Sequence, residues 1–311
     1  HFVAPTLIEL ASPLQLDRGV FGPVLHVIRY AACDLDDLLD ALAATGYGLT
    51  LGIQSRVDET IAHITGRARV GNMYVNRNMI GAVVGVQPFG GEGLSGTGPK
   101  AGGPLSLRRL VRGAPLPLAD LPRPARFALD DMEAWLFGDA VPLDEAARCR
   151  LRDHLAAYRR ASLAGLVLAL PGPTGETNTL GFYPRGAVLG LADGLEAWLH
   201  QLAAVLATGN LLRVLAGQPA EAWLSMLPPA LQARVERCED AFSDSVAVLA
   251  DLPAPETARW RCACAEQGGP IRPFLVPEPA YAIERLIVER CITDNITACG
   301  GNPRLMRLGD A

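Results

Sequence analysis

The chain has no excess of positive charge: its formal net charge is -5 and its pI is about 5.6. Such a surface lacks the broad basic footprint of a nucleic-acid binder. The one dense cationic cluster, Arg108, Arg109 and Arg112, is expected at a helix end. Long apolar runs are also missing. Each apolar stretch is broken by charge, glycine or proline before the roughly eighteen residues that a bilayer crossing needs. Cysteine is sparse and scattered: seven residues, at positions 33, 149, 238, 262, 264, 291 and 299, form an odd set with no secretory leader before them. A reduced cytoplasm is therefore the expected compartment. Cys262 and Cys264 stand close together, but no second pair follows at zinc spacing, and the five histidines at 1, 26, 63, 154 and 200 are dispersed. No metal site is expected.

What is present suits two compact domains, since 311 residues with half of them hydrophobic can bury real cores. Short apolar or alternating runs at 2–10 and 24–30 predict strands. Asp34 opens a helix whose Leu35, Leu38, Leu39 and Leu42 share a face, and Gly46 stands where a left-handed cap would end it. Strands are expected at 49–53 and 70–76, around a polar helix at 58–68. Four prolines within residues 113–124 forbid regular helix and place a domain boundary at 114–124. Beyond it, strands at 166–170 and 187–192 flank a turn-rich excursion suited to a hairpin flap. Asp193 with Glu196 reads as a capping pair for a helix carrying Leu195, Trp198, Leu199, Leu202, Val205 and Leu206, which stops at Gly209-Asn210. The next strand, 211–215, completes a βαβ unit and implies a parallel sheet.

Residues 71–104 carry the most chemistry. A strand that looks buried runs into a long glycine-rich loop bearing Phe89 and the exposable amides of Gly81 and Ala82. Backbone N–H groups in such a loop form an anion-binding concavity without a charged side chain. Two phosphate motifs fail here. Gly91 to Gly96 matches G-x-G-x-x-G, but Pro88 and Pro99 deny it the strand and helix that dinucleotide binding requires; Lys100 follows a proline and precedes Ala101 instead of Ser or Thr.

This stretch resembles the end of an aldehyde dehydrogenase, in particular the glutamate semialdehyde (pyrroline-5-carboxylate) dehydrogenase module of the bifunctional proline utilisation A flavoenzymes, and the likeness runs from Phe2 to Leu308. The resemblance implies that Gly81 and Ala82 anchor the substrate's α-carboxylate and that Phe89 packs its aliphatic chain. Gly19-Val20-Phe21-Gly22-Pro23 is similar to the family's Glu-Val-Phe-Gly-Pro, which makes Phe21 a cofactor-binding residue and leaves Gly19 where a ribose-binding Glu is expected. Pro184 to Leu189 and Leu206 to Asn210 resemble the opening of a cofactor domain, yet Asp193-Gly194-Leu195 replaces Pro-Trp-Asn and Leu215 replaces the ribose-binding Lys. The 289–308 stretch is similar to a tail that docks on the dehydrogenase module, with Pro303, Arg304 and Arg307 departing from its pattern.

The implied architecture is α/β: the end of a catalytic domain with an oligomerisation flap at 1–113, a linker at 114–124, and a degenerate Rossmann-like, non-catalytic domain at 125–311. None of the seven cysteines has the context of the family's nucleophile, which lies upstream together with the dinucleotide-binding domain. The chain is expected to be a fragment, inactive alone, of an enzyme that oxidises an aldehyde with NAD and carries FAD in an upstream proline dehydrogenase domain. Its expected partners are a small aldehyde, the upstream domains and further copies of itself. The competing expectation is a structural lid or assembly module with no catalytic part.

Overall fold

The computed structural model describes residues 2–111, 127–138 and 141–297, so the expected linker at 114–124 and the tail beyond 297 lie outside the described residues. Strands β1 (Thr6–Leu10) and β2 (Val24–Ile28) pair in parallel, Thr6 opposite Val24. Helix α1 (Leu35–Ala44) follows and buries Leu39; Gly46, at φ 78°, then takes the left-handed turn that its missing Cβ allows. Next come β3 (Tyr47–Gly48), β4 (Thr50–Ile53), α2 (Asp58–Arg67), β5 (Asn72–Val75) and β6 (Glu92–Gly93). β4 and β5 are parallel, and Ile53, Ile61 and Val75 form a small core between them and α2.

The rest of the chain contributes α3 (Phe127–Leu136), α4 (Glu145–Ala161), β7 (Val167–Leu170), β8 (Glu176–Pro184) and β9 (Ala187–Ala192). α5 (Leu195–Ala207), β10 (Leu211–Leu215), α6 (Ala220–Trp223), α7 (Pro229–Gln232) and β11 (Val235–Cys238) follow. β12 (Ser245–Asp251), α8 (Ala254–Ala265), β13 (Phe274–Leu275) and β14 (Ile287–Asn295) complete it. The parallel sheet has the order β11-β10-β9-β12-β13. α5 is apolar nearly all round, and every residue from Trp198 to Ala207 is buried between that sheet and helices α3 and α4. Two of its buried polar groups are matched: His200 Nε2 meets the Tyr158 hydroxyl at 2.6 Å, and Gln201 Nε2 donates to the Leu191 carbonyl at 2.7 Å, while Gln201 Oε1 and Trp198 Nε1 find no partner among the described residues. Burial holds the His200 imidazole down to about 3, so it stays neutral.

Three local expectations change. The 171–184 excursion does turn back as a hairpin, β7 antiparallel to β8, but most of it is the nine-residue strand β8, paired on both edges. Residues 287–295, with no strand signal taken from them, form β14. Asp193 and Glu196 do not cap α5: the N-cap is Gly194, without a side-chain bond, because Glu196 instead takes a bidentate bond from Arg150 at 2.6 and 2.8 Å.

The second five-stranded sheet, β4-β5-β14-β8-β7, draws on both ends of the chain. β14 runs parallel to β5, with Cys291 opposite Asn72, and antiparallel to β8, with Ile287 opposite Pro184.

The Rossmann-like unit keeps its frame while its ligand edge has changed. Asn210 pins the start of the fold, accepting from Gly186 N at 2.7 Å and donating to Leu286 O at 2.8 Å, which gives the retained Gly-Asn pair a structural role. At the carboxyl ends of the strands, where parallel sheets bind ligands, burial and the charges of Glu196 and Asp193 raise the Asp251 carboxyl above its ordinary range. A pyrophosphate there would meet carboxylates.

Candidate functional site: a braced glycine-rich loop

The loop from Asn76 to Gly90 leaves the fully buried β5 and is held at its base by side chains from distant strands. Asn72 on β5 donates to Pro88 O at 2.9 Å and accepts from Gly90 N at 3.2 Å, closing the loop's two ends on each other. Gln87, buried in the loop, bridges inward and outward: its Oε1 accepts from Val83 N at 2.7 Å, and its Nε2 donates to Glu176 Oε1 at 2.8 Å and Asn178 Oδ1 at 3.1 Å. Glu176 also receives Arg77 at 2.6 Å in a largely buried ion pair. Thr293 on β14 donates to Asn178 Oδ1 at 2.7 Å. Thus β8 and β14 set the loop's base through a satisfied polar network, the kind that rigidifies when each member has a partner.

On this base stand three of the four expected site residues. Gly81 is exposed with φ 72°, a conformation suited to glycine, and Ala82 is half-buried. Among the described residues, neither the Gly81 nor the Ala82 amide donates a hydrogen bond. Phe89 is half-buried and exchanges two backbone bonds with Ala101, at 3.0 and 2.9 Å. Phe21 is elsewhere. Its ring is fully exposed and borders a separate cavity of about 670 Å³ shared with Leu39, Tyr47 and Leu94. A Cβ on Gly19 would meet only the Phe21 ring edge, at 3.6 Å, so space does not require glycine here.

Behind the loop lies Lys100, buried, donating to Asn72 Oδ1 at 2.8 Å and to the Gly90 carbonyl. Burial depresses its ammonium to about 8, against the pull of Cys291 and Glu289. Glu289 accepts from Lys100 N at 2.7 Å, and burial raises its carboxyl. The buried thiols of Cys238, Cys264 and Cys291 are likewise pushed up by burial, the reverse of an activated nucleophile. No group of metal-ligating side chains occurs among the described residues. Gln87, Glu176, Asn178 and Lys100 were not visible as site-forming residues in the sequence. Glu176 and Asn178 lie 89 and 91 residues from Gln87, beyond any local pattern.

Residues 1–112 match the aldehyde dehydrogenase family model. The whole chain is similar to the bifunctional protein PutA of Rhizobium meliloti, at 45% identity over 99% of the chain and 25% of that protein. The PutA of Escherichia coli K12 shows the same identity and coverage of this chain over 24% of its length. The first third resembles 1-pyrroline-5-carboxylate dehydrogenase 2 of Bacillus subtilis, at 38% identity over 33% of the chain and 20% of that protein. The structure of proline utilization A from Corynebacterium freiburgense shares the fold, with a TM-score of 0.58 at 21% identity over 89% of this chain and 26% of that one. The chain spans about a quarter of the length of the curated PutA relatives it matches. With the aldehyde dehydrogenase match at one end and likeness to PutA from end to end, the chain belongs to the proline utilisation A family and carries aldehyde dehydrogenase sequence in residues 1–112.

Proposed function

We propose that the chain supplies the aldehyde-anchoring part of an NAD-dependent L-glutamate γ-semialdehyde dehydrogenase, which oxidises the semialdehyde to glutamate within a bifunctional protein of proline catabolism. One observation carries the reading: the free amides of Gly81 and Ala82 stand on a loop whose base is locked by Gln87, Glu176 and Asn178. Two N–H donors suit a carboxylate, and the half-buried Phe89 of the same loop would offer an apolar wall for the chain that links it to the aldehyde. The loop therefore orients a substrate that already carries an acid. NAD, when bound, supplies the hydride acceptor; the exposed Phe21 ring is free to pack against a planar ring, and Gly19 offers the ribose no acceptor. The nucleophile, and FAD for the partner reaction, would be provided outside these 311 residues. Assembly into homo-oligomers and a cytoplasmic setting accompany this reading.

A second reading, a structural or assembly module, draws on Gly19 and on the exposed apolar side chains Phe2, Phe21, Ile80 and Val84. The two separate in one comparison. In the complete protein, Ala82→Pro deletes an anchoring N–H, so kcat/KM for glutamate semialdehyde should fall at least about tenfold more than for a simple aliphatic aldehyde. Phe89→Ala should weaken both. Equal loss on the two aldehydes from Ala82→Pro would favour the structural module.

A further inference from the structure

A cavity of about 520 Å³ lies where the 91–109 segment meets the turn between β8 and β9 and the chain just before β14. Its size is that of a small-molecule site. Five cationic side chains line it, drawn from four separate places in the sequence: Lys100, Arg108 with Arg109, Arg185 and Arg285. Two of them are answered within the protein. Lys100 is turned onto Asn72 and Gly90, and Arg108 faces Glu284 at 3.9 Å. Of the acids of the lining, Glu92 is held by Arg290 at 2.6 and 3.2 Å, and Glu289 accepts from Lys100 N through Oε2 while its buried Oε1 has no partner among the described residues.

That leaves Arg109, Arg185 and Arg285 without a carboxylate in ion-pair range among the described residues. Among the described residues Arg185 bonds only to backbone carbonyls, those of Arg285 at 3.1 Å and of Thr97 and Ile287 at 3.4 Å. The Arg285 Nε is buried with no acceptor. Burial lowers the Arg185 and Arg285 guanidiniums, and the charge of Arg109 adds to the depression at both, against the opposing pull of Glu92 and Glu284. Three like charges converging on one concavity, one with an orphaned donor, are a cost unless an anion takes up the field.

We infer that this cavity binds a compact polyanion, a phosphoryl group or a dicarboxylate with clustered anionic oxygens, through Arg109, Arg185 and Arg285. The site is independent of the Gly81–Ala82 loop and of the reaction proposed for it. Planar guanidiniums from several directions suit paired oxygens better than a single charge does.

The test is calorimetric titration of the full chain with pyrophosphate and, separately, with glutarate, at ionic strength fixed with chloride. Saturable one-site binding is expected, and the probe that gives it identifies the ligand class. Arg285→Gln and Arg109→Gln should each weaken it by about tenfold or more. Arg109 is exposed, so its variant keeps the test valid even if Arg285→Gln perturbs folding. Arg234→Gln, an exposed cation on the neighbouring cavity, should leave binding unchanged. No saturable binding of either probe, or equal weakening by Arg234→Gln, overturns the proposal.

Discussion

At Gly19 the proposed cofactor site would lack one carboxylate, and a Cβ there meets only the Phe21 ring edge. Gly19→Glu in the complete protein restores a carboxylate for a ribose hydroxyl pair, so NAD should bind up to about tenfold more tightly. Titration showing equal or weaker binding would mean that another acceptor already serves the ribose. Lys100 makes a prediction about pH. Between about 8 and its ordinary 10.5 the unfolded chain holds a proton that the folded chain has released, so stability rises with pH across that window. The gain is up to about 3 kcal/mol. Urea unfolding at pH 7.5 and pH 10 should show the wild type gaining on Lys100→Met by a large part of that amount; a constant difference would place the ammonium in a wetter site than the fold describes.

Among the elements, legibility followed how local the determining contacts are. α1 was readable because Leu35, Leu38 and Leu39 carry its packing face, with Leu42 left exposed at its end, and Gly46 its stop, all within twelve residues of one another. α5 was readable for the same reason, but its cap was not: Glu196 is drawn away by Arg150, 46 residues earlier. β8 looked like a turn-rich excursion because its first residues, Glu176, Thr177 and Asn178, are polar. Asn178 is nonetheless buried, its polarity satisfied by Gln87 and Thr293 from two other parts of the chain. Likewise the site loop could be located from its glycines, whereas its bracing could not. Gln87→Leu removes both the acceptor for Val83 N and the donor to β8, so the Val83 amide should exchange with solvent at least about tenfold faster while β9 and β10 keep their protection. Unchanged exchange at Val83 would show that glycine-loop geometry alone holds the turn.

Over the whole molecule, the expected division at 114–124 meets a sheet that spans both sides of it, because β14 lies between β5 and β8. Chain order predicts two consecutive units, and no local pattern in 287–295 reveals the strand's partners. Removing residues 287–311 should expose one edge of β5 and one of β8, and limited proteolysis should then cut within 76–90 before it cuts the β9–β10 region. Retained resistance in that loop would show that β8 suffices to hold it. Asn295 reaches back to the Asn76 carbonyl at 3.3 Å across 219 residues. On a ribosome, the loop emerges long before the strand that seats it, and contacts of such separation form slowly. The seating of this loop, and with it the aldehyde anchoring proposed for it, is thereby tied to translation having passed β14, so a prematurely terminated chain would reach the cell with the loop unbraced.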